Sequence, residues 1–476
     1  MAIHKNYRVL FLLSAGLVLT PGRAAEPARA GDVYVTAKGT TDRLTKKAPL
    51  VFESHAQPEE QYPVVVVDPR KTFQTLEGIG GALTDSSAET FAKLPPERQK
   101  ELLTAYFDAE KGIGYSLCRT NIHSCDFSSG SYTYDDVAGD KELKNFSIAH
   151  DKTYRIPFIQ AALATAKTPF KLFASPWSPP AWMKTNGGML KGGELKPEFA
   201  ETWASYYGRF VKAYAQEGIA IWGLTVQNEP MASQTWESCV FTGDQERDFV
   251  RDHLGPNLEK AGLSSVKLMI WDHNRGLVYQ RAKAVYDDPQ AAKYVWGTSF
   301  HWYVGDHFDN VRQVHDAWPD KHLVFSEGCA ERFDAKRIND WQWGEKYGSS
   351  LLHDLTNWTE AWTDWNVLLD ERGGPNHVGN FCYAPVHANT RTGALTFMNS
   401  YYYIGHFSKF IRPGAKRVAS TTNDDRLESV AFLNPDGKLA IVVLNLQNES
   451  IPCKVWIDGQ EAKVTSPAHS IMTVTY

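Results

Sequence analysis

The chain has 476 residues, 43% hydrophobic and 22% charged, an ordinary globular composition on a length that favours one large domain with a smaller companion. A formal net charge of −5 excludes the basic footprint of a nucleic-acid binder and any polybasic membrane patch, and so favours a neutral or uncharged substrate. Aromatic residues make up 12%, with 15 Trp and 21 Tyr, and many stand beside turn residues, where rings suit either the apolar faces of sugars or the core of a large barrel.

Lys5 and Arg8 precede an apolar run over 9–19, followed by small residues with cleavage points at Ala24, Ala25 or Ala30. This reads as a cleaved signal peptide over 1–25 and predicts a secreted or periplasmic protein. No later segment approaches about 18 uninterrupted apolar residues, so no membrane span is expected. Residues 26–75 hold short β-rich pieces (DVYVTA, LVFE, PVVVVDP) that predict strands outside the main catalytic unit.

From Leu76 onward, short apolar runs alternate with longer amphipathic segments. The runs cover 77–84, 115–123, 170–179, 221–230, 267–274, 297–304, 322–330 and 362–370. Between them, stretches such as 197–218 and 242–262 place apolar residues at three- and four-residue intervals, the helical period. Strand then helix, repeated about eight times, predicts a (β/α)8 TIM barrel over 76–409. Residues 410–476 return to β patterning, with the NPDG turn of 434–437 marking a hairpin, and predict a C-terminal β-sandwich that the N-terminal strands join. The expected class is therefore α/β, a barrel with a sandwich built from both chain ends.

Within each run the polar, aromatic and carboxylate residues gather at the C-terminal end, as Asp85, His123, Trp177, Glu229, His273, Tyr303, Glu327 and Trp365. That end is the face on which barrel enzymes place their sites. Glu229, in Asn228-Glu229-Pro230, closes the fourth run, and Glu327 closes the seventh, so two carboxylates are expected in one cavity. Paired carboxylates are what glycoside hydrolysis requires. A retaining enzyme uses one to attack the anomeric carbon and the other as acid, then base. Arg119 and Tyr303 are suited to keep Glu327 ionised and positioned, and Asn228 to bind a sugar hydroxyl.

Trp177 and Trp365 would form sugar platforms or belong to the core. Asp85 in GGALTDSS would bind sugar hydroxyls bidentately or cap the helix that follows. His301 and His273 are hydrogen-bonding candidates that could equally be structural. GIGGA at 78–82 lacks the full dinucleotide glycine pattern and reads as close backbone packing. HExxH, GxSxG and GxxxxGK[ST] are absent, and no cofactor is expected. The six cysteines, Cys118, Cys125, Cys239, Cys329, Cys382 and Cys453, lack CxxC spacing, so no metal site is expected and their pairing stays open.

Several segments together resemble glycoside hydrolase family 30, the group of glucosylceramidases and β-1,6-glucanases. They are GIGGALTDSSA (78–88), SCDFS (124–128), FASPWSPPAWMKTNG (173–187), TVQNEP (225–230), GDQERDF (243–249), HWY (301–303), SEGC (326–329), WTDWN (362–366) with GGPN (373–376), and FSKFIRPG (407–414). The resemblance implies net retention, with Glu229 as acid/base and Glu327 as nucleophile. It implies glucose binding by Asp85, Trp177, Asn228, Trp365 and Asn380, with Tyr303 and Cys329 lining the same pocket.

The expected partner is a β-glucoside, a glucan or a glucosyl lipid, and no protein partner is indicated. The closely spaced cysteines near the N-terminus of animal lysosomal members are missing, so a lysosomal setting and its helper protein are not expected. The competing reading, an inactive carbohydrate-binding barrel, would be marked by loss of one glutamate, and both are present.

Overall fold

The computed structural model describes Met1 and residues 29–476. The signal-peptide reading falls almost wholly on 2–28 and so lies outside the described residues. Eight parallel strands close a barrel, at Gly78–Ala82, Leu117–Ile122, Lys171–Pro176, Gly223–Thr225, Lys267–Asn274, Gly297–His301, His322–Glu327 and Ala361–Asn366. Each lies inside, or overlaps all but one residue of, one of the eight apolar runs of the sequence. Parallel strands with helices outside are buried on both faces, so even the polar residues of Leu117–Ile122 and Ala361–Asn366 are buried.

The barrel interior is packed solid towards its N-terminal end, where Leu117, Phe173, Met269, Val324 and Ala361 meet beneath Trp222 and Trp296. The helices cover the outside through a larger apolar cluster that includes Trp203, Tyr206, Phe210 and Trp362. Most of the aromatic content is therefore core, the blander of the two readings of composition. A Cβ on Gly80 would stand 1.7 Å from the carbonyl oxygen of Leu117, so the first two barrel strands approach as closely as only glycine permits.

Strands from both ends of the chain share a second, ten-stranded sheet. Arg29–Ala37 pairs with Ser470–Thr475, and Val64–Thr75 is held between Lys416–Thr422 and Ile451–Ile457. The sheet closes on itself around Val35, Phe52, Val65, Ile441, Val455 and Met472. The 434–437 hairpin forms as its sequence requires, with Gly437 at φ 84° and the Asn434 N–H donating to the Lys438 carbonyl. No helix among the described residues is long and apolar enough to cross a membrane.

Two local departures position the site. The fourth strand ends at Thr225, three residues earlier than Asn228, and Glu229 sits beyond it in a left-handed conformation at φ 48°. Its backbone N–H donates to the Asp272 carbonyl at 3.0 Å, so the carboxylate is fixed by a strained turn and not by strand geometry. In the fifth strand the register steps from Ser299↔Trp271 to Phe300↔His273, leaving Asp272 as an extra residue. Such a bulge re-aims a side chain, here at φ 49°, towards the buried face it shares with Arg119.

Candidate active site

A cavity of about 260 Å³ opens at the C-terminal ends of the barrel strands, walled by Trp177, Asn228, Glu229, Tyr303, Glu327 and Trp365 among others. Its organising group is Arg119, fully buried at the second strand. Arg119 Nε donates to Ser175 Oγ at 3.1 Å, Nη1 to Glu327 Oε2 at 2.5 Å, and Nη2 to Asp272 Oδ2 at 2.8 Å and Asn228 Oδ1 at 2.9 Å. The guanidinium also stands 4.8 Å from the Trp177 ring centre and 5.4 Å from that of Trp365. A buried arginine satisfied on all sides is a rigid template for its two carboxylates.

Glu327 accepts a second bond from Tyr303 Oη at 2.9 Å, so both its oxygens are held. Burial pushes its carboxyl up, against the pull of His301 and Arg119, and the charges of Glu229 and Asp272 add to the rise. Glu229 has a different shell. Gln234 Nε2 donates to Oε2 at 3.2 Å, and Oε1 is 3.5 Å from His301 Nδ1 and 3.9 Å from His273 Nε2. Burial works against its charge, but the two histidines hold it below the usual carboxylate range.

His301 Nε2 lies 3.0 Å from Asp272 Oδ1. Burial disfavours an imidazolium there, yet Glu327, Asp272 and Glu229 outweigh burial and raise His301 to about 9. His273 is lowered by burial to about 4 and is neutral near pH 7. Asp272, held far below the usual range against burial, also accepts from Thr225 and Ser326 at 2.6 Å each. Asp272 carries no sequence signal of its own, because its partners come from strands up to 153 positions away.

Trp177 and Trp365 are buried and stacked, with ring centres 5.2 Å apart, and both line the cavity. They are core residues and cavity walls at once. Asn380 also lines it and donates to Asp126 Oδ2 at 2.9 Å. Cys329 lines the cavity with its Sγ 3.5 Å from Tyr303 Oη, and Cys382 stands beside it; all six cysteines are buried and unbridged.

Asp85 is not with them. It is the first residue of the helix Asp85–Ala92, whose N-cap is Thr84, and its carboxylate is enclosed by Asn121, Ser128 and Tyr132, with Arg155 Nη1 at 3.3 Å. Asp126, in the SCDFS segment, does line the cavity, as does Glu331, and burial pushes the Asp126 pKa well up. Asp85, His150 and Asp151 place ligand atoms close enough for an ion, but the Arg155 guanidinium already pairs with both aspartates.

The sequence matches the model of the Glycosyl hydrolase family 30 TIM-barrel domain over residues 76–411 and that of the family 30 beta sandwich domain over 414–474. It is 38% identical over 427 residues to the lysosomal acid glucosylceramidase of Mus musculus, covering 86% of this chain and 82% of that protein. It is 28% identical over 451 residues to an endo-1,6-beta-D-glucanase of Neurospora crassa, covering 90% of each. Among solved structures, SrfJ from Salmonella typhimurium superposes with a TM-score of 0.90 at 34% identity, over 94% of this chain and 99% of that one. The endo-beta1,6-glucanase BT3312 superposes with a TM-score of 0.84 at 29% identity, with the same coverage. Two carboxylates in one barrel mouth, the attached sandwich and these matches over nearly the whole chain place the protein in glycosyl hydrolase family 30, as an O-glycosyl hydrolase of the retaining class.

Proposed function

We propose that the cavity removes a terminal β-glucosyl residue by double displacement, with Glu327 as nucleophile and Glu229 as acid/base. The observation that carries the assignment is the contrast between their shells. Glu327 is held at both oxygens by Tyr303 and by a guanidinium that never gives up its proton, so its ionised form is pre-oriented. Positive charge developing on the sugar in the oxocarbenium-like transition state favours that ionised form further. Glu229 has no such guanidinium and faces the His301 imidazolium, a cation that can pass on its proton, as a group that alternates between acid and base requires.

Asp126, Asn380, Trp177 and Trp365 would then hold the glucose. Relatives include both a glucosylceramidase and endo-1,6-glucanases, and the rim favours the former chemistry. Val304, which lines the cavity, is a large apolar side chain left exposed, and Met231 and Leu277, after the neighbouring fourth and fifth strands, are exposed as well. An apolar sector beside a sugar pocket suits a lipid aglycone. Export by the signal peptide belongs to the same reading, and N-terminal sequencing of protein recovered outside the cytoplasm checks it.

Glu327→Gln should lower kcat on an aryl β-glucoside by at least about 10⁴-fold, with the circular dichroism spectrum and Tm retained. Substantial residual turnover would refute the nucleophile assignment. Product analysis on glucosylceramide, gentio-oligosaccharides and β-1,6-glucan, side by side, tests the aglycone: glucose should be released fastest from the lipid.

A further inference from the structure

His377 stands three residues before Asn380 and joins three of the segments that wall the cavity. Its Nδ1 is 2.7 Å from the carbonyl oxygen of Ser128, and its backbone N–H donates to that same oxygen at 3.1 Å. Ser128 follows the second strand, two residues after Asp126. On the other side of the ring, Nε2 is 3.2 Å from Glu237 Oε1, in the segment after the fourth strand and next to Trp236, which lines the cavity. Ser131 Oγ is 3.3 Å from the same nitrogen.

A carbonyl oxygen only accepts, so Nδ1 carries a proton. A neutral Nε2 would accept from Ser131 Oγ, but the Glu237 carboxylate 3.2 Å away, whose oxygens are buried with no other hydrogen-bond partner among the described residues, favours a proton on Nε2 as well. Glu237 has a fully buried side chain, and a carboxylate there needs a cationic partner. We propose that His377, as an imidazolium clamped between Glu237 and the Ser128 carbonyl, is a positioning residue that makes Asp126, Asn380 and Trp236 converge on the sugar, and that its deprotonation weakens substrate binding.

The surroundings support the cation. Bonding to Glu237 raises His377 above the ordinary histidine value, against burial, and Asp126 adds to the rise. Glu237 is held below the usual carboxylate range, where His377 outweighs burial. From other elements, Lys184 and His123 face Glu237, and burial lowers both, to about 8 and about 4. The clamp is thus complete below the ordinary histidine value and is lost as pH rises through the raised one.

The proposal rests on the cavity being the substrate site, and the experiment separates the two. Steady-state kinetics on an aryl β-glucoside from about pH 5 to about pH 9 should show KM of the native enzyme rising by roughly tenfold in the upper half, kcat moving less. Glu237→Gln should flatten that rise, because its amide can donate to a neutral Nε2. A KM profile in the variant that tracks the native one would overturn the clamp. Thermal melts over the same range give an answer independent of turnover. Native Tm should fall across the window while the variant's does not, and parallel profiles would refute the clamp even in an enzyme inactive on glucosides. Differing melts without turnover would sustain the clamp and refute the glucosidase reading.

Discussion

Asp85 and Asp126 show what a single side chain's context decides. Asp85 lies three residues past the first barrel strand, at the face where a site carboxylate is looked for. Its oxygens are nevertheless consumed by Arg155, Asn121, Ser128 and Tyr132. Asp126 lies four residues past the second strand in an irregular segment, where no periodicity tells which way a side chain turns. Asp126→Asn should therefore raise KM for an aryl β-glucoside by about 10- to 100-fold with little change in Tm. Asp85→Asn should leave KM within about twofold and cost roughly 3 kcal/mol, because it breaks a buried ion pair. Kinetics and melts of the two variants side by side check the exchange of roles. Glu229, Glu327 and Tyr303 were legible in sequence because each stands near the end of an apolar run, whereas Arg119, expected at a strand end, lies inside the second strand. Asp272 was not, because a bulge, and not alternation, turns it inward.

Strands are the scale at which the sequence speaks most clearly. All eight barrel strands fall on the apolar runs, since parallel strands buried on both faces are richer in apolar residues than the segments between them. Their ends are less legible: the fourth is only three residues long, and Glu229 owes its place to the turn beyond it. GIGGA, read as close packing, is where the first strand is pressed against the second. Gly80→Ala should cost more than about 4 kcal/mol or abolish soluble expression, because backbone carbonyl cannot yield as a flexible side chain can. Gly188→Ala, with open space around its position, should stay within about 0.5 kcal/mol, and chemical denaturation of both variants measures the difference.

Across the whole molecule, barrel and sandwich are joined by His406, from the helix Asn399–Ser408. Its Nδ1 is 2.8 Å from Thr473 Oγ1 and its Nε2 2.9 Å from Thr36 Oγ1, on sandwich strands from opposite ends of the chain. Burial lowers His406 to about 3, so it stays neutral while an unfolded histidine takes up a proton near pH 6.5. Its contribution is complete above that value and fades as pH falls towards 3. By about pH 4 the loss amounts to about 3 kcal/mol. His406→Gln, which keeps a donor and an acceptor without titrating, should lose less Tm than the native protein between about pH 7 and about pH 4 in calorimetry. This joint was invisible in sequence, because its three segments stand 67 and 370 residues from one another along the chain.

The solid floor of the barrel has a consequence for traffic. Leu117, Phe173 and Met269, with Trp222 and Trp296 against them, fill the N-terminal end of the barrel, opposite the end where the cavity opens. In a double displacement the departing aglycone must then vacate the opening by which water arrives. Any alcohol lingering there competes with water for the glycosyl-enzyme, so the occupancy of that doorway sets the balance between hydrolysis and the making of new glycosides.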